Sequence, residues 1–191
     1  LGRFQGQLAD GAISQVEIQY AGDIAGINVA PLTIAVLKGL LEHSQANVNM
    51  VNAPLVAQEL GIKLIETRAR KAVDFASSIM VKTYGRTDRL IEGAIFHGSQ
   101  PRIVRLDDFM LEAIPEGPTL LLHNHDQAGV VGTVGSILGD AGINISRMQL
   151  ALVPERSEAA MLVNVDPLPP ESVMEEIRSV PHVITVKLLE L

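Results

Sequence analysis

The residues best placed to do chemistry gather around His123-Asn124-His125-Asp126, followed by Gly129 and, further along, Asn144. On an extended chain alternate residues share a face, so His123 and His125 point one way and Asn124 and Asp126 the other. Two histidines on one face could begin a metal site. No third ligand follows on a helix, and His43, His97 and His182 are scattered, so no metal is expected. Asn124 and Asp126 have a different use. They lie where an extended run ends and a helical period begins, and the first N–H groups of a helix lack partners and attract a carboxylate. Those groups run from about Ala128 through Gly129 and Val130 to Val131. Asn144 comes just after Gly142 closes that helix and could return near the same edge. An α-amino acid needs an anion corner, an acceptor for its ammonium and amides that fix its orientation, and these residues supply all three. They equally suit a plainer arrangement, in which Asp126 caps the helix and Asn144 is a turn residue.

Other chemistry is thin. Gly129, Gly132 and Gly135 have the spacing GxxGxxG, not the GxGxxG of a dinucleotide loop, and Asp126 before them would repel a pyrophosphate. These glycines are expected to allow close packing of the helix on a sheet. No GxxxxGK[ST] loop and no Ser/His/Asp set stands out, and with no cysteine a thiol nucleophile is excluded. No catalytic residue and no cofactor are therefore assigned within this chain. Residues 61–105 carry 9 Lys/Arg against 4 Asp/Glu. That excess fits a solvated face or a pocket for a small anion.

The elements that must position these residues can be read from punctuation and period. Ala113-Ile-Pro-Glu-Gly-Pro118 is linker chemistry, dividing domain 1 (1–115) from domain 2 (116–191). In domain 2, Thr119–His125 is a strand. Val130, Val134, Ile137, Leu138 and Ala141 then form one face of a helix. Ile145–Val153 and Ala159–Asp166 make a hairpin, Pro169-Pro170 opens a short helix, and Val183–Leu189 is the last strand. The order is βαββαβ, a ferredoxin-like α+β domain. Domain 1 reads as mixed α/β: the end of a helix at Gln5–Ala9, helices at Pro31–His43 and near Leu55–Leu60, and strands at Ile13–Tyr20, Val48–Val51, Ile62–Thr67, Ile79–Thr83, Leu90–Phe96 and Arg102–Leu106. Periodicity alone does not order those strands.

Composition bounds the function. Aromatic residues are 3% of the chain and Trp is absent, so the cores must be aliphatic. A net charge of −7 and few aromatics for stacking argue against nucleic acid. No apolar run is long enough to span a bilayer, and the N-terminus does not look like a signal peptide. A soluble, cytoplasmic protein is expected.

Seven stretches carry a resemblance. His123-Asn-His-Asp126-Gln-Ala-Gly129-Val-Val-Gly, with Ala141-Gly-Ile-Asn144-Ile-Ser, resembles the ACT domain that ends D-3-phosphoglycerate dehydrogenases. Leu1-Gly-Arg-Phe, Val16-Glu-Ile-Gln-Tyr-Ala-Gly, Pro31-Leu-Thr-Ile-Ala-Val-Leu-Lys-Gly-Leu-Leu, Val48-Asn-Met-Val-Asn-Ala-Pro and Gly61-Ile-Lys-Leu-Ile-Glu look like the intervening, allosteric substrate-binding domain of the same family. The resemblance implies the C-terminal regulatory half of a longer enzyme, whose NAD- and substrate-binding domains would precede Leu1. It implies L-serine bound between two subunits through Asn124, Asp126 and Asn144, in a homodimer or homotetramer. Ala128 departs from the family's usual proline. In the first domain, Arg102 matches one basic position of an anion site for phosphate or a phosphorylated acid, with Lys82, Arg86 or Arg105 as helpers. Met110 and Ile114 stand in the region where that pattern's later His and Arg would fall. Two other readings are a stand-alone amino-acid-binding or oligomerisation module and the regulatory part of an L-serine dehydratase.

Overall fold

The computed structural model describes residues 1–70 and 74–191; Lys71, within the basic 61–105 segment, lies outside them. The chain divides into two compact units, Leu1–Asp107 and Asp108–Leu191. The first unit contains α1 (Gly2–Leu8), β1 (Gln15–Gly22), α2 (Ala30–Leu41), α3 (Ala53–Glu59), β2 (Lys63–Ala69), β3 (Ser77–Tyr84), β4 (Arg89–Phe96) and β5 (Gln100–Leu106). Its strands lie in the order β2-β1-β3-β4-β5. β1 and β2 are parallel because α2 and α3 carry the chain back between them, and the other neighbours are antiparallel.

One face of this sheet is sealed. Val16, Ile18, Tyr20, Val81 and Ile91 are fully buried, and the other large buried side chains include Phe4, Leu8, Leu37 and Leu40 from the helices. Glycine sets how closely α1 meets α2. A Cβ built on Gly6 would lie 2.3 Å from the Leu40 carbonyl oxygen, and one on Gly39 would lie 2.7 Å from the Arg3 nitrogen. Inside the seal, the Tyr20 hydroxyl meets Thr33 Oγ1 at 2.8 Å, and Thr33 donates to Glu66 on β2. Burial raises the Tyr20 phenol above its ordinary pKa.

The strand expected at Val48–Val51 is instead a turn. Asn49 Oδ1 accepts from the Val51 and Asn52 amides at 2.8 and 3.1 Å, and Asn52 Oδ1 accepts from the Asn49 amide at 2.7 Å. These local side-chain bonds hold the backbone out of any ladder, as asparagine can.

The second unit begins before the proline-rich segment that suggested a division at Pro115. Phe109, Leu111 and Ala113 are buried and alternate with exposed Met110 and Glu112, forming β6 (Phe109–Ala113), which lies along β8 and β9. There follow β7 (Pro118–His125), α4 (Val130–Asp140), β8 (Asn144–Val153), β9 (Glu158–Asp166), α5 (Glu171–Ser179) and β10 (Val183–Glu190). The order β10-β7-β9-β8, with antiparallel neighbours throughout, is the expected ferredoxin-like arrangement. Leu120, Leu122, Val134, Leu138, Met161, Val163 and Ile177 share one core between the sheet and the two helices. Gly142 closes α4 at φ +70°, where the Ile143 amide donates to Leu138 and the Gly142 amide to Gly139. That pair of bonds is a Schellman cap.

The glycines of α4 do not do what their spacing suggested. A Cβ on Gly132, Gly135 or Gly139 would meet nothing within 4 Å. The core face of this helix is carried by Val130, Val134 and Leu138, and the glycines lie off it.

Candidate functional site

The β7–α4 corner is built by a change of backbone. β7 ends at His125, whose amide donates to the His182 carbonyl at 2.9 Å, and the Asp126 amide donates to the Ser157 carbonyl at 2.8 Å. Gly129 then turns at φ +96°, a left-handed conformation that suits glycine, and α4 starts at Val130. No side chain caps this helix. The cap role open to Asp126 is therefore not taken, and among the described residues its carboxylate has no hydrogen-bond or ion-pair partner. Val130 is buried and contributes only backbone; Ala128, Gly129 and Val131 are exposed around the uncapped N–H groups.

Asn124 lies on the helix-covered face of β7, at 3% exposure. Its Nδ2 donates to the His125 carbonyl at 2.7 Å, which fixes the amide's orientation, and its Oδ1 is buried without a partner. A sealed acceptor with no donor is costly.

Asn144 is not at this corner. It pairs with Asp166 across β8–β9, whereas Asn124 pairs with Ala159 across β7–β9. Along β9 those rows are seven residues apart, roughly 23 Å at 3.3 Å per residue. The expectation that Asn144 returns near the same edge fails because a helix following a strand runs back down it. The next strand therefore starts at the opposite end of the sheet.

His123 is engaged elsewhere: its Nε2 lies 3.1 Å from Glu158 Oε2, and its ring meets Phe109 edge-on at 5.5 Å. His125 is exposed, and no three His, Cys, Asp or Glu side chains gather for a metal among the described residues. In the first unit, register puts Lys82, Arg102 and Arg105 on the sheet face away from the helices. Each is occupied separately. Lys82 Nζ lies over the Tyr84 ring at 4.6 Å, and Arg105 Nε donates to the Asp107 carbonyl at 2.7 Å. Arg102 holds Gln100 Oε1 and the Pro101 carbonyl at 2.9 Å each. Arg86 lies between β3 and β4.

Two further features escape a reading of the chain alone. The Ser157 carbonyl that holds Asp126 carries no side-chain signal. Leu150 and Leu152 are 46% and 47% exposed on β8, an edge strand with a neighbour on one side only. The apolar run Leu150-Ala-Leu-Val153 is the visible trace of that edge. No helix among the described residues is long and apolar enough to cross a membrane.

Comparison with known proteins agrees with this division. Residues 1–107 match the family model described as D-3-phosphoglycerate dehydrogenase intervening domain, and residues 119–182 match the ACT domain. Similar curated proteins include D-3-phosphoglycerate dehydrogenases from Synechocystis, at 34% identity over 98% of this chain, and Methanocaldococcus jannaschii, at 33% over 100%. One from Bacillus subtilis is 32% identical over 100% of the chain. The chain spans 35%, 36% and 37% of the length of these three relatives. With an intervening domain followed by an ACT domain, and relatives of one kind along its whole length, this chain belongs to the D-3-phosphoglycerate dehydrogenase family.

Proposed function

We propose that this chain is the feedback-sensing part of an NAD-dependent D-3-phosphoglycerate dehydrogenase. It binds L-serine at the β7–α4 corner and completes that site with a second copy of itself. The carrying observation is the uncapped N-terminus of α4 beside an unengaged Asp126 and a buried, unpartnered Asn124 Oδ1. The helix N–H groups suit the ligand carboxylate, and Asp126 suits its ammonium. NAD would accept the hydride in the catalytic part of the enzyme, and no residue of this chain is assigned to it.

Asn144 supports the second copy. If two β8 edges pair antiparallel about a two-fold axis centred on Met148, Asn144 of the partner subunit lies opposite Leu152. Leu152 shares a row with Ala159 and Asn124. Such pairing covers Leu150 and Leu152, and the bare glycine face of α4 lets the neighbouring helix approach.

Calorimetric titration with L-serine tests this reading. Saturable binding is expected at one site per chain, with L-serine amide much weaker because it lacks the carboxylate. No heat with L-serine at millimolar concentration would leave the stand-alone oligomerisation module as the better reading. Equal binding of the amide would remove the helix terminus from the site.

A further inference from the structure

The turn between β8 and β9 is gripped from two sides. From one side the Asp126 amide, in the β7–α4 corner, donates to the Ser157 carbonyl at 2.8 Å. From the other, two contacts reach the turn and a third continues the second of them to the start of β6. Arg156 pairs with Asp108 at 2.6 Å, Glu158 pairs with His123 Nε2 at 3.1 Å, and the His123 ring meets Phe109 edge-on with centroids 5.5 Å apart. Ser157, at the centre, has φ +52°. That conformation is uncommon for a residue other than glycine.

We infer that Arg156-Ser157-Glu158 is a clasp coupling the Asp126 corner to the start of β6. Three consecutive residues cannot respond independently. The Ser157 carbonyl is oriented by the Asp126 amide, and a ligand that draws the Asp126 segment toward itself alters that bond. Relaxation of Ser157 then displaces Glu158, its direct neighbour. Glu158 fixes the His123 ring, and the ring is what Phe109 packs against.

The contacts do not share the coupling equally. Arg156 and Asp108 are 58% and 48% exposed, so their ion pair is screened and contributes little. His123 and Glu158 are only 31% and 24% exposed, and Phe109 is buried at 7%. The route therefore runs through Glu158, His123 and Phe109. Beyond that segment, the buried Asn164 amide donates to the Glu116 carbonyl at 2.8 Å and to Thr119 Oγ1 at 2.9 Å. A disturbance at Phe109 is delivered to the Asp108–Ala113 segment that contains it. The clasp itself stands on these contacts; that its natural trigger is L-serine rests on the function proposed above.

Amide hydrogen exchange on the intact chain tests the clasp without any ligand. Asp126→Pro removes the N–H that holds Ser157. Exchange at Phe109–Ala113 should then quicken about three- to tenfold, the effect of losing one hydrogen bond, while α5 stays unchanged. Unchanged exchange at Phe109–Ala113 in a folded Asp126→Pro chain would overturn the coupling. Glu158→Ala is the second variant, and it leaves the corner's backbone intact. It should quicken exchange both at Phe109–Ala113 and at Asp126–Val131, and a response on one side only also overturns the clasp. Adding L-serine to the unaltered chain then separates the two readings. If L-serine does not bind, the ligand assignment fails while the variants still decide the clasp. If it binds and leaves Phe109–Ala113 unchanged, the clasp is not part of the response.

Discussion

Asn124 and Asp126 are two residues apart and do different work, because one is inside and the other outside. Alternation along Thr119–His125 puts Asn124 in register with Leu120 and Leu122, and both leucines are fully buried. That much is legible from the chain. Its depth is not, since depth depends on β9, β10 and the helices closing over it. Because Asp126 is exposed and Asn124 is not, truncating Asn124 should cost binding less. Its burial redirects the cost to the fold. Asn124→Ala should lower unfolding stability by about 1–2 kcal/mol in urea titration, through the lost bond to the His125 carbonyl and the space left behind. A stability loss below a few tenths would show that the side chain is dispensable for folding. Asp126→Ala should leave stability nearly unchanged, because the carboxylate has no partner. It should weaken L-serine binding by roughly ten- to a hundredfold, the effect of losing a charged hydrogen bond. Unaltered affinity would move the ammonium site elsewhere.

At the scale of elements, the second unit from β7 onward is legible in both its elements and their order, whereas in the first unit five strands are legible and their order is not. The second unit alternates period 2 with period 3.6 and is punctuated by Gly142 and Pro169-Pro170, all of it local information. In the first unit β1 lies between β2 and β3, partners brought in from later in the chain, so periodicity cannot order them. β6 is hidden for another reason: its five residues sit directly before a proline-rich stretch that reads as linker. Glycine shows the same limit. Gly6 and Gly132 look alike in a sequence, yet a Cβ on Gly6 would collide with the Leu40 carbonyl and one on Gly132 would enter open space. Gly6→Ala should therefore destabilise the chain by about 1–3 kcal/mol, since α1 and α2 must part. Gly132→Ala in the isolated chain should be neutral or stabilise by up to about 1 kcal/mol, from helix propensity. Thermal melts of the two variants give opposite signs on this account. A stabilised Gly6→Ala would mean that the α1–α2 contact yields easily.

The whole molecule sets a constraint that no single residue reveals. Asp126 lies just beyond Asn124 at one end of the sheet and Asn144 lies at the other, the rows of Asn124 and Asn144 being roughly 23 Å apart along β9, so no amino acid spans Asp126 and Asn144 within a chain. Either Asn144 has no part in the site, or two chains build it together. Mixing variants separates these cases. Asp126→Ala and Asn144→Ala should each bind L-serine poorly alone. If each site takes Asp126 from one chain and Asn144 from the other, a dimer of one variant with the other contains one intact site and one doubly altered site. After subunit exchange in an equal mixture, about half the dimers are mixed, so about a quarter of all sites should bind with full affinity. If Asn144 has no part in the site, Asn144→Ala alone binds as tightly as the unaltered chain, and about half the sites in the mixture are tight with or without exchange. Light scattering on the unaltered chain fixes the starting assembly, and a mass-tagged variant shows that exchange has occurred. Recovery of about a quarter of the sites would place the partner's Asn144 in the pocket. Full-affinity binding by Asn144→Ala alone would leave the pocket to the β7–α4 corner of a single chain.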